Sequence, residues 1–247
     1  ERMELDELTV NQQTGAISGT GRGVIRSTHF ANQLPGLATP GAPAAKPLAV
    51  GNAKLHFLLV DFQQGFEGNF IDREITFLTR VRTIYGPVDA WEQELDANRP
   101  ELLPPETLTL TSEKLRINEE ALTANHRMRE LAQVSGSPIG PVQMTADGNV
   151  KINGQSPAKG EFFATAERVS YTQSKEQFIL EGSNRMPATL GHRNPATGQQ
   201  LDNSAGKIIY NRLTGQAEWD TVRAFEFTPG SGGGALKNAL GPAPARQ

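Results

Sequence analysis

One strand–turn–strand unit recurs in this chain after 39 residues without a gap, and it restricts the fold more than any other feature. AERVSYTQSKEQFILEG at 166–182 aligns with AGKIIYNRLTGQAEWDT at 205–221. Apolar and polar residues alternate on both sides of a short polar turn, which is the pattern of a β-hairpin. A lone hairpin leaves its apolar face in water, so the copies have to stack and share an interior. The matched apolar positions are Val169 with Ile208, Tyr171 with Tyr210 and Leu180 with Trp219.

The turn of the second copy has a counterpart near the N-terminus. The residues NRLTG at 211–215 match NQQTG at 11–15. Asn and Gly tolerate the positive φ that a tight turn requires, so both segments are expected to close hairpins. A weaker trace of the unit starts at Lys114. Two interpretations are open: a β-roll of stacked hairpins, or an ordinary β-sandwich whose hairpins merely resemble one another.

Alternation with a period of two continues through most of the remaining chain. From Ile75 to Tyr85 the odd positions are apolar or Thr, and the opposite face carries Arg80 and Arg82, which predicts a half-buried strand. Residues 55–62, LHFLLVDF, are apolar on both faces, so we expect a central strand that is covered on both sides. Further strands are predicted at 107–117, 148–152, 162–171, 177–181, 206–210 and 217–227.

Segments of different composition interrupt these strands. Residues 31–53 carry four prolines and little apolar periodicity, which predicts a long loop or insertion. We expect further insertions at 86–106 and 118–143, and residues 118–133 form either a short helix or an irregular excursion. Residues 1–228 are predicted to form one β-roll with these insertions. Residues 229–247 are too poor in apolar side chains to fold alone, so we expect a disordered tail or linker.

Composition and motifs exclude several classes of function. The chain has no cysteine, and its four histidines lack metal-ligand spacing, so we predict no metal and no cofactor. A net charge of -3 gives no reason to expect a nucleic-acid partner. The mean hydropathy of -0.44 argues for a soluble chain without a membrane-spanning helix. No nucleophile or metalloprotease motif occurs, so we predict no enzyme activity and no catalytic residue. Because the chain starts at Glu1, any targeting segment is expected upstream.

The ordered series of strands in the C-terminal half resembles a known family. It is similar to the OstA-like β-jelly-roll repeats of the periplasmic lipopolysaccharide-transport bridge, over roughly the third of the chain from 144 to 227. The family pattern is a G-x-V-x-I strand, an A-x-A-x-x-V-x-Y strand, an L-x-G strand and an A-x-x-I-x-Y repeat. The matching positions are Gly148, Val150, Ile152, Ala164, Ala166, Val169, Tyr171, Leu180, Gly182, Ala205, Ile208 and Tyr210.

This resemblance implies an all-β fold of stacked antiparallel hairpins, a twisted and partly open β-roll with at most one short helix. It also implies a periplasmic protein of a Gram-negative-type cell envelope, whose partners are lipopolysaccharide or another glycolipid and other β-rolls of a transport bridge. The acyl chains would lie in an apolar groove. From the alternation we assign its lining to Val10, Ile17, Phe77, Val81, Leu108, Leu110, Val169, Tyr171, Phe178, Leu180, Ile208, Tyr210, Trp219 and Phe225.

Other functions are compatible with the same strands. The interior could be a packed core with no room for a ligand, and the protein would then be an assembly module that stacks end to end on partner β-rolls. Exposed edge strands would also let it associate with itself. A carbohydrate-binding β-roll ranks last, because only 6% of the residues are aromatic.

Overall fold

The protein is built from short and medium β-strands that follow one another along the chain. The computed structural model describes residues 2–30, 55–96, 98–99, 102–119, 142–156, 160–175, 177–193, 200–211, 214 and 216–228. The strands are β1 (Arg2–Glu4), β2 (Glu7–Val10), β3 (Ala16–Thr20), β4 (Gly23–Phe30), β5 (Leu55–Phe62), β6 (Gly65–Asn69), β7 (Glu74–Val88), β8 (Leu108–Glu119), β9 (Val142–Ser156), β10 (Gly160–Thr172), β11 (Gln177–Glu181), β12 (Ala188–Arg193), β13 (Gln200–Asn211) and β14 (Ala217–Thr228).

All fourteen strands belong to one antiparallel sheet, which confirms the predicted all-β class. The sheet is partly closed, but it is not a barrel. The described residues contain no α-helix, and a short turn of 3₁₀-helix spans Gln173–Lys175.

Short strands combine in pairs, so the sheet has fewer columns than strands. β5 and β6 both pair with β7, and β11 and β12 both lie between β10 and β13. The pairs β1 with β2 and β3 with β4 combine in the same way. The result is ten antiparallel columns in the order β1/β2, β3/β4, β5/β6, β7, β8, β9, β10, β11/β12, β13 and β14.

Each column bends at the same level. In a column of two strands, the break between the strands lies at this level. In the long strands, a bulge lies at the same level. A bulge bends a strand and raises its twist. Backbone in the left-handed region supports the bend, at the following residues with φ in degrees: Gly21 (82), Thr79 (61), Arg80 (49), Gly148 (80), Asn149 (47) and Thr221 (58).

We call this level the fold line, because it divides the sheet into two leaves. Leaf 1 consists of β2, β3, β6, β11 and the parts of the long strands beside them, and leaf 2 consists of β1, β4, β5, β12 and the other parts. The inner faces of the two leaves supply a single hydrophobic core cluster. Its row in leaf 1 nearest the fold line is fully buried and consists of Phe66, Phe77, Leu115, Ala146, Val169, Leu180 and Ile208.

The prediction of a central strand at 55–62 is confirmed, because β5 is covered on both faces. Val60 and Phe62 lie in the main core, whereas Phe57 packs on the opposite face in a second cluster with Ile84 and Leu95. The predicted insertion at 86–106 explains this second cluster. Its first three residues end β7, and later residues bring Leu95 onto the outer face of the sheet.

The internal repeat is confirmed as two hairpins in the same register. Val169 faces Leu180 in β10–β11, and Ile208 faces Trp219 in β13–β14. The alternation did not reveal β6 or β12. Asn118 belongs to β8 and does not begin a helix, while residues 120–141, the Pro-rich segment at 31–53 and the segment at 229–247 lie outside the described residues.

Candidate functional site

The candidate site is the cleft between the two leaves. Apolar side chains near the fold line are buried, whereas several of those further out, toward the free ends of the leaves, are only partly buried. We call this outer, partly buried set the cleft mouth. Its members pack against the main core and come from both leaves: Ile17, Ile25, Leu58, Leu108, Ile117, Met144, Phe162, Leu190, Tyr210 and Ala217.

Side chains from the two leaves pack against one another in the described part of the cleft. A cavity of about 10 Å³ lies between the leaves near the C-terminal columns. A space of this size holds about one water molecule, so an acyl chain can enter only if the leaves separate or the lining side chains move. The cavity is lined by Ile152, Phe162, Ala164 and Leu190 of leaf 2 and by Phe178, Leu180 and Tyr210 of leaf 1.

The structure places most of the predicted lining residues in or beside the core. Three of them, Ile17, Leu108 and Tyr210, are partly buried and belong to the cleft mouth. Eight are buried: Phe77, Val81, Leu110, Val169, Tyr171, Phe178, Leu180 and Ile208.

The expected interior position is wrong for Val10 and Trp219, which are 42% and 41% exposed. Both residues face apolar neighbours on the inner side of the sheet, Ile17 and Ile208 respectively. They are exposed because β2 and β14 each pair with one strand only among the described residues, so one flank has no cover. Phe225 lies in β14 with its backbone opposite Asn203, and its side chain is outside the described residues.

Two mouth residues were missed for different reasons. Ile117 ends a predicted strand, but a bulge between Thr111 and Lys114 changes which residues of β8 face inward. Met144 lies in the part of β9 that the predicted strand at 148–152 left out. The two face each other across β8 and β9, in the same row as Ile75 and Tyr171. The signal was present as alternation of Met144 with Ala146, once β9 is extended toward residue 142.

Buried polar side chains interrupt the apolar inner face, and three of them have an oxygen without a hydrogen-bond partner among the described residues. Thr83 lies opposite Val60, Ser112 opposite Val81, and Asn203 opposite Leu190. Because an unpaired buried polar atom is costly, these are the positions where water or a polar ligand atom would be stabilised inside the cleft.

The outer face of leaf 1 carries the opposite chemistry, with ion pairs across neighbouring strands. Arg116 Nη2 lies 2.6 Å from Glu74 Oε2. The hydrogen bond to Glu74, and then the charge of Glu74, raise the pKa of Arg116. Just across the fold line, on the outer face of leaf 2, Arg82 donates to Asn98 Oδ1 at 3.1 Å. The outer face of leaf 1 offers paired charges, with a few apolar side chains such as Ile179 and Ile209 between them.

The described residues lack the features of several other kinds of site. They contain no group of three or more His, Cys, Asp or Glu residues that could hold a metal ion. Within the same residues, no helix is long and apolar enough to cross a membrane. In sequence, no protein-family model and no curated protein matches this chain.

Proposed function

We propose that this protein is a non-enzymatic component of a Gram-negative-type cell envelope that binds the acyl chains of lipopolysaccharide or a related glycolipid between its leaves. The observation that supports this function is the inner face itself. Apolar rows run across ten columns, and several side chains of the outer row, such as Ile117, Met144 and Tyr210, are only partly buried. The resemblance to the OstA-like repeats supports the periplasmic location.

The dimensions and energetics of the cleft suit an acyl chain. Strands in a sheet lie about 4.8 Å apart, so ten columns give an apolar lane of about 40 Å. Each methylene group moved from water into such a lane contributes about 0.8 kcal/mol. Ten buried methylene groups therefore contribute about 8 kcal/mol, which can offset a partial separation of the leaves.

Photo-crosslinking from the cleft mouth tests the proposal. A benzophenone amino acid placed at Met144 or Tyr210 is expected to capture purified lipopolysaccharide, detected by antibody on a denaturing gel. Thr145 provides the matched control, because it is next to Met144 in β9 and faces outward opposite Arg116 and Ser170. Capture at both mouth positions and not at Thr145 supports the proposal. Absence of capture at both mouth positions, or equal capture at Thr145, contradicts it.

The free ends of the sheet favour a second function, end-to-end assembly with other β-rolls. Among the described residues β2 pairs only with β3, and β14 pairs only with β13. Apolar residues are exposed at both ends, with Leu8 at 53% and Trp219 at 41%. Unpaired edges of this kind accept further strands. Sedimentation velocity over a range of concentrations tests self-association, and a strictly monomeric protein leaves only unlike partners for these edges.

A further inference from the structure

Charges on the outer face of leaf 1 alternate in sign across six neighbouring strands. The row lies next to the fold line, and each member stands directly opposite the next. We call it the charge ladder. From β8 to β14 its members are Lys114, Asp147, Arg168, Glu181, Lys207 and Asp220.

Contacts within the ladder show that the alternation is an interaction. Arg168 Nε donates to Asp147 Oδ1 at 2.5 Å, and Lys207 Nζ lies 3.6 Å from Glu181 Oε1. The pKa of Arg168 is raised, first by its hydrogen bond to Asp147, then by the charge of Asp147 and more weakly by that of Glu181. Directly opposed unlike charges stabilise an antiparallel pair, and directly opposed like charges destabilise it.

The ladder ends on an acidic residue at a free edge. Asp220 lies in β14, which pairs only with β13 among the described strands. Lys207 stands opposite Asp220, but its ammonium group is paired with Glu181. The Asp220 carboxylate accepts a hydrogen bond from Thr221 Oγ1, and no cation of the described residues forms an ion pair with it. The neighbouring Trp219 is exposed on the inner side.

The internal repeat shows what such an edge accepts. Glu181 and Leu180 of β11 occupy the same repeat positions as Asp220 and Trp219 of β14. β11 is covered by β13, which places Lys207 opposite Glu181 and an apolar residue opposite Leu180. β14 lacks the equivalent covering strand among the described residues. From this we propose that the free edge of β14 binds a β-strand of another polypeptide that carries Lys or Arg opposite Asp220 and an apolar residue opposite Trp219.

A second copy of this chain fits the same edge less well. In an end-to-end stack the first column, β1/β2, would lie antiparallel to β14, because ten columns alternate in direction. The apolar rows continue only if Leu8 stands opposite Trp219, which places Glu7 opposite Asp220. Glu7 faces outward, where its carboxylate accepts from Thr20 Oγ1 at 3.3 Å. Two carboxylates would then meet where the ladder requires a cation.

This inference rests on the proposed end-to-end assembly and is independent of lipid binding. The test gives β2, at the N-terminal edge of the sheet, the cation that the partner strand of β14 is proposed to carry. A second copy of the protein then serves as the partner. Four proteins are compared by sedimentation velocity in low salt: wild type, Glu7→Lys, Asp220→Lys and the double variant. Glu113→Lys is the matched control, because it makes the same change in net charge at an exposed position of β8, inside the sheet.

Either single reversal is expected to tighten end-to-end association about tenfold, since it replaces a like-charge pair by an ion pair. The double variant should return to the wild-type value, and Glu113→Lys should not differ from wild type. Tightening in Glu113→Lys, or in the double variant, overturns the inference. If wild type associates as tightly as the single variants, end-to-end assembly stands and the charge rule fails. If no variant associates, both the end-to-end assembly and the charge rule fail for the edge of β14.

Discussion

Trp219 lies directly opposite Ile208 in the β13–β14 pair, yet Ile208 is fully buried and Trp219 is 41% exposed. The two side chains continue the same inner row of leaf 1. The difference between them comes from what lies on the far side of each strand, since β13 is covered by β11 and β14 has no second neighbour among the described strands. The buried row of leaf 1 therefore ends at Ile208 among the described side chains, and Trp219 presents an apolar surface at the end of the sheet.

Truncation of these two residues should separate a core role from a surface role. Ile208→Ala leaves a cavity beside Leu180 and is expected to lower the free energy of unfolding by about 2–5 kcal/mol. Trp219→Ala removes a side chain at the exposed end and should cost about 1 kcal/mol or less. Urea unfolding followed by circular dichroism measures both. Equal losses would show that Trp219 is part of the core.

The bend at the fold line depends on backbone that few residues adopt, which gives a matched pair of glycine variants. Gly148 has a φ of 80°, and a Cβ there would lie 2.8 Å from that of Glu113. Gly148→Ala is therefore expected to destabilise the fold by about 1–3 kcal/mol. Gly206 has space for a Cβ, with the nearest atom 3.5 Å away.

Gly206→Ala should stay within about 0.5 kcal/mol of wild type or raise stability slightly. Thermal and urea unfolding of both variants provide the comparison. If Gly206→Ala costs as much as Gly148→Ala, the loss is a general effect of replacing glycine in this sheet, and the fold line has no special requirement at residue 148.

Alternation predicts which strands exist, but it does not predict where they bend. In β10 the inward residues change from Ala164 and Ala166 to Val169 and Tyr171, and a bulge between them makes the switch. Thr79 and Arg80 adopt positive φ although neither residue type favours it. Because tertiary packing imposes these conformations in β7, the fold line has no local sequence signal in that strand, although glycines mark it at Gly21 and Gly148.

The candidate site was predicted in part, for a related reason. Period-two patterns identify the inward face of a strand, so residues such as Val169 and Leu180 were assigned correctly to the interior. Burial also depends on whether a neighbouring strand covers the column, and the sequence of one strand does not show this. Val10 and Trp219 face inward but are exposed, because their strands pair on one side only among the described residues.

Asparagine side chains cap the hairpin turns at the free end of leaf 1 and join adjacent turns. Asn11 Oδ1 accepts from the backbone nitrogen of Thr14 at 3.1 Å, and Asn211 Oδ1 accepts from that of Thr214 at 2.9 Å. Asn69 caps the β6–β7 turn in the same way, at 2.8 Å from the backbone nitrogen of Ile71. Its Nδ2 also donates to the carbonyl oxygen of Thr14 at 3.1 Å.

Substitution of Asn69 should therefore cost stability in two separable steps. Asn69→Ala removes both functions and is expected to lower the free energy of unfolding by about 1–2 kcal/mol. Asn69→Asp keeps the capping oxygen and loses the donor to Thr14, so its loss should be smaller. Urea unfolding of the two variants measures the difference. A loss in Asn69→Asp as large as that in Asn69→Ala would contradict a capping role for Oδ1.

A charge at the cleft mouth should interfere with acyl binding while the fold is kept. Met144→Glu places a carboxylate among partly buried apolar side chains, and Thr145→Glu places the same group on the outer face of β9. Binding of a fluorescent fatty acid is expected to weaken by about tenfold or more in Met144→Glu, since charge is disfavoured in an apolar cleft. Thr145→Glu should bind like wild type. Equal affinity in both variants would count against the cleft as the binding site.

The charge ladder should make a measurable and salt-sensitive contribution to stability. Arg168→Glu places a carboxylate between those of Asp147 and Glu181, so that three carboxylates stand in a row. Arg168→Gln only removes the cation. Because the Arg168 side chain is about half exposed, the cross-strand interaction amounts to about 0.2–1 kcal/mol per pair. Arg168→Glu should therefore lower the free energy of unfolding by about 1–2 kcal/mol in low salt, and Arg168→Gln by less. At 1 M salt, where charges are screened beyond about 3 Å, the two variants should converge. A loss in Arg168→Glu that does not change with salt would mean that the alternating charges do not stabilise the sheet.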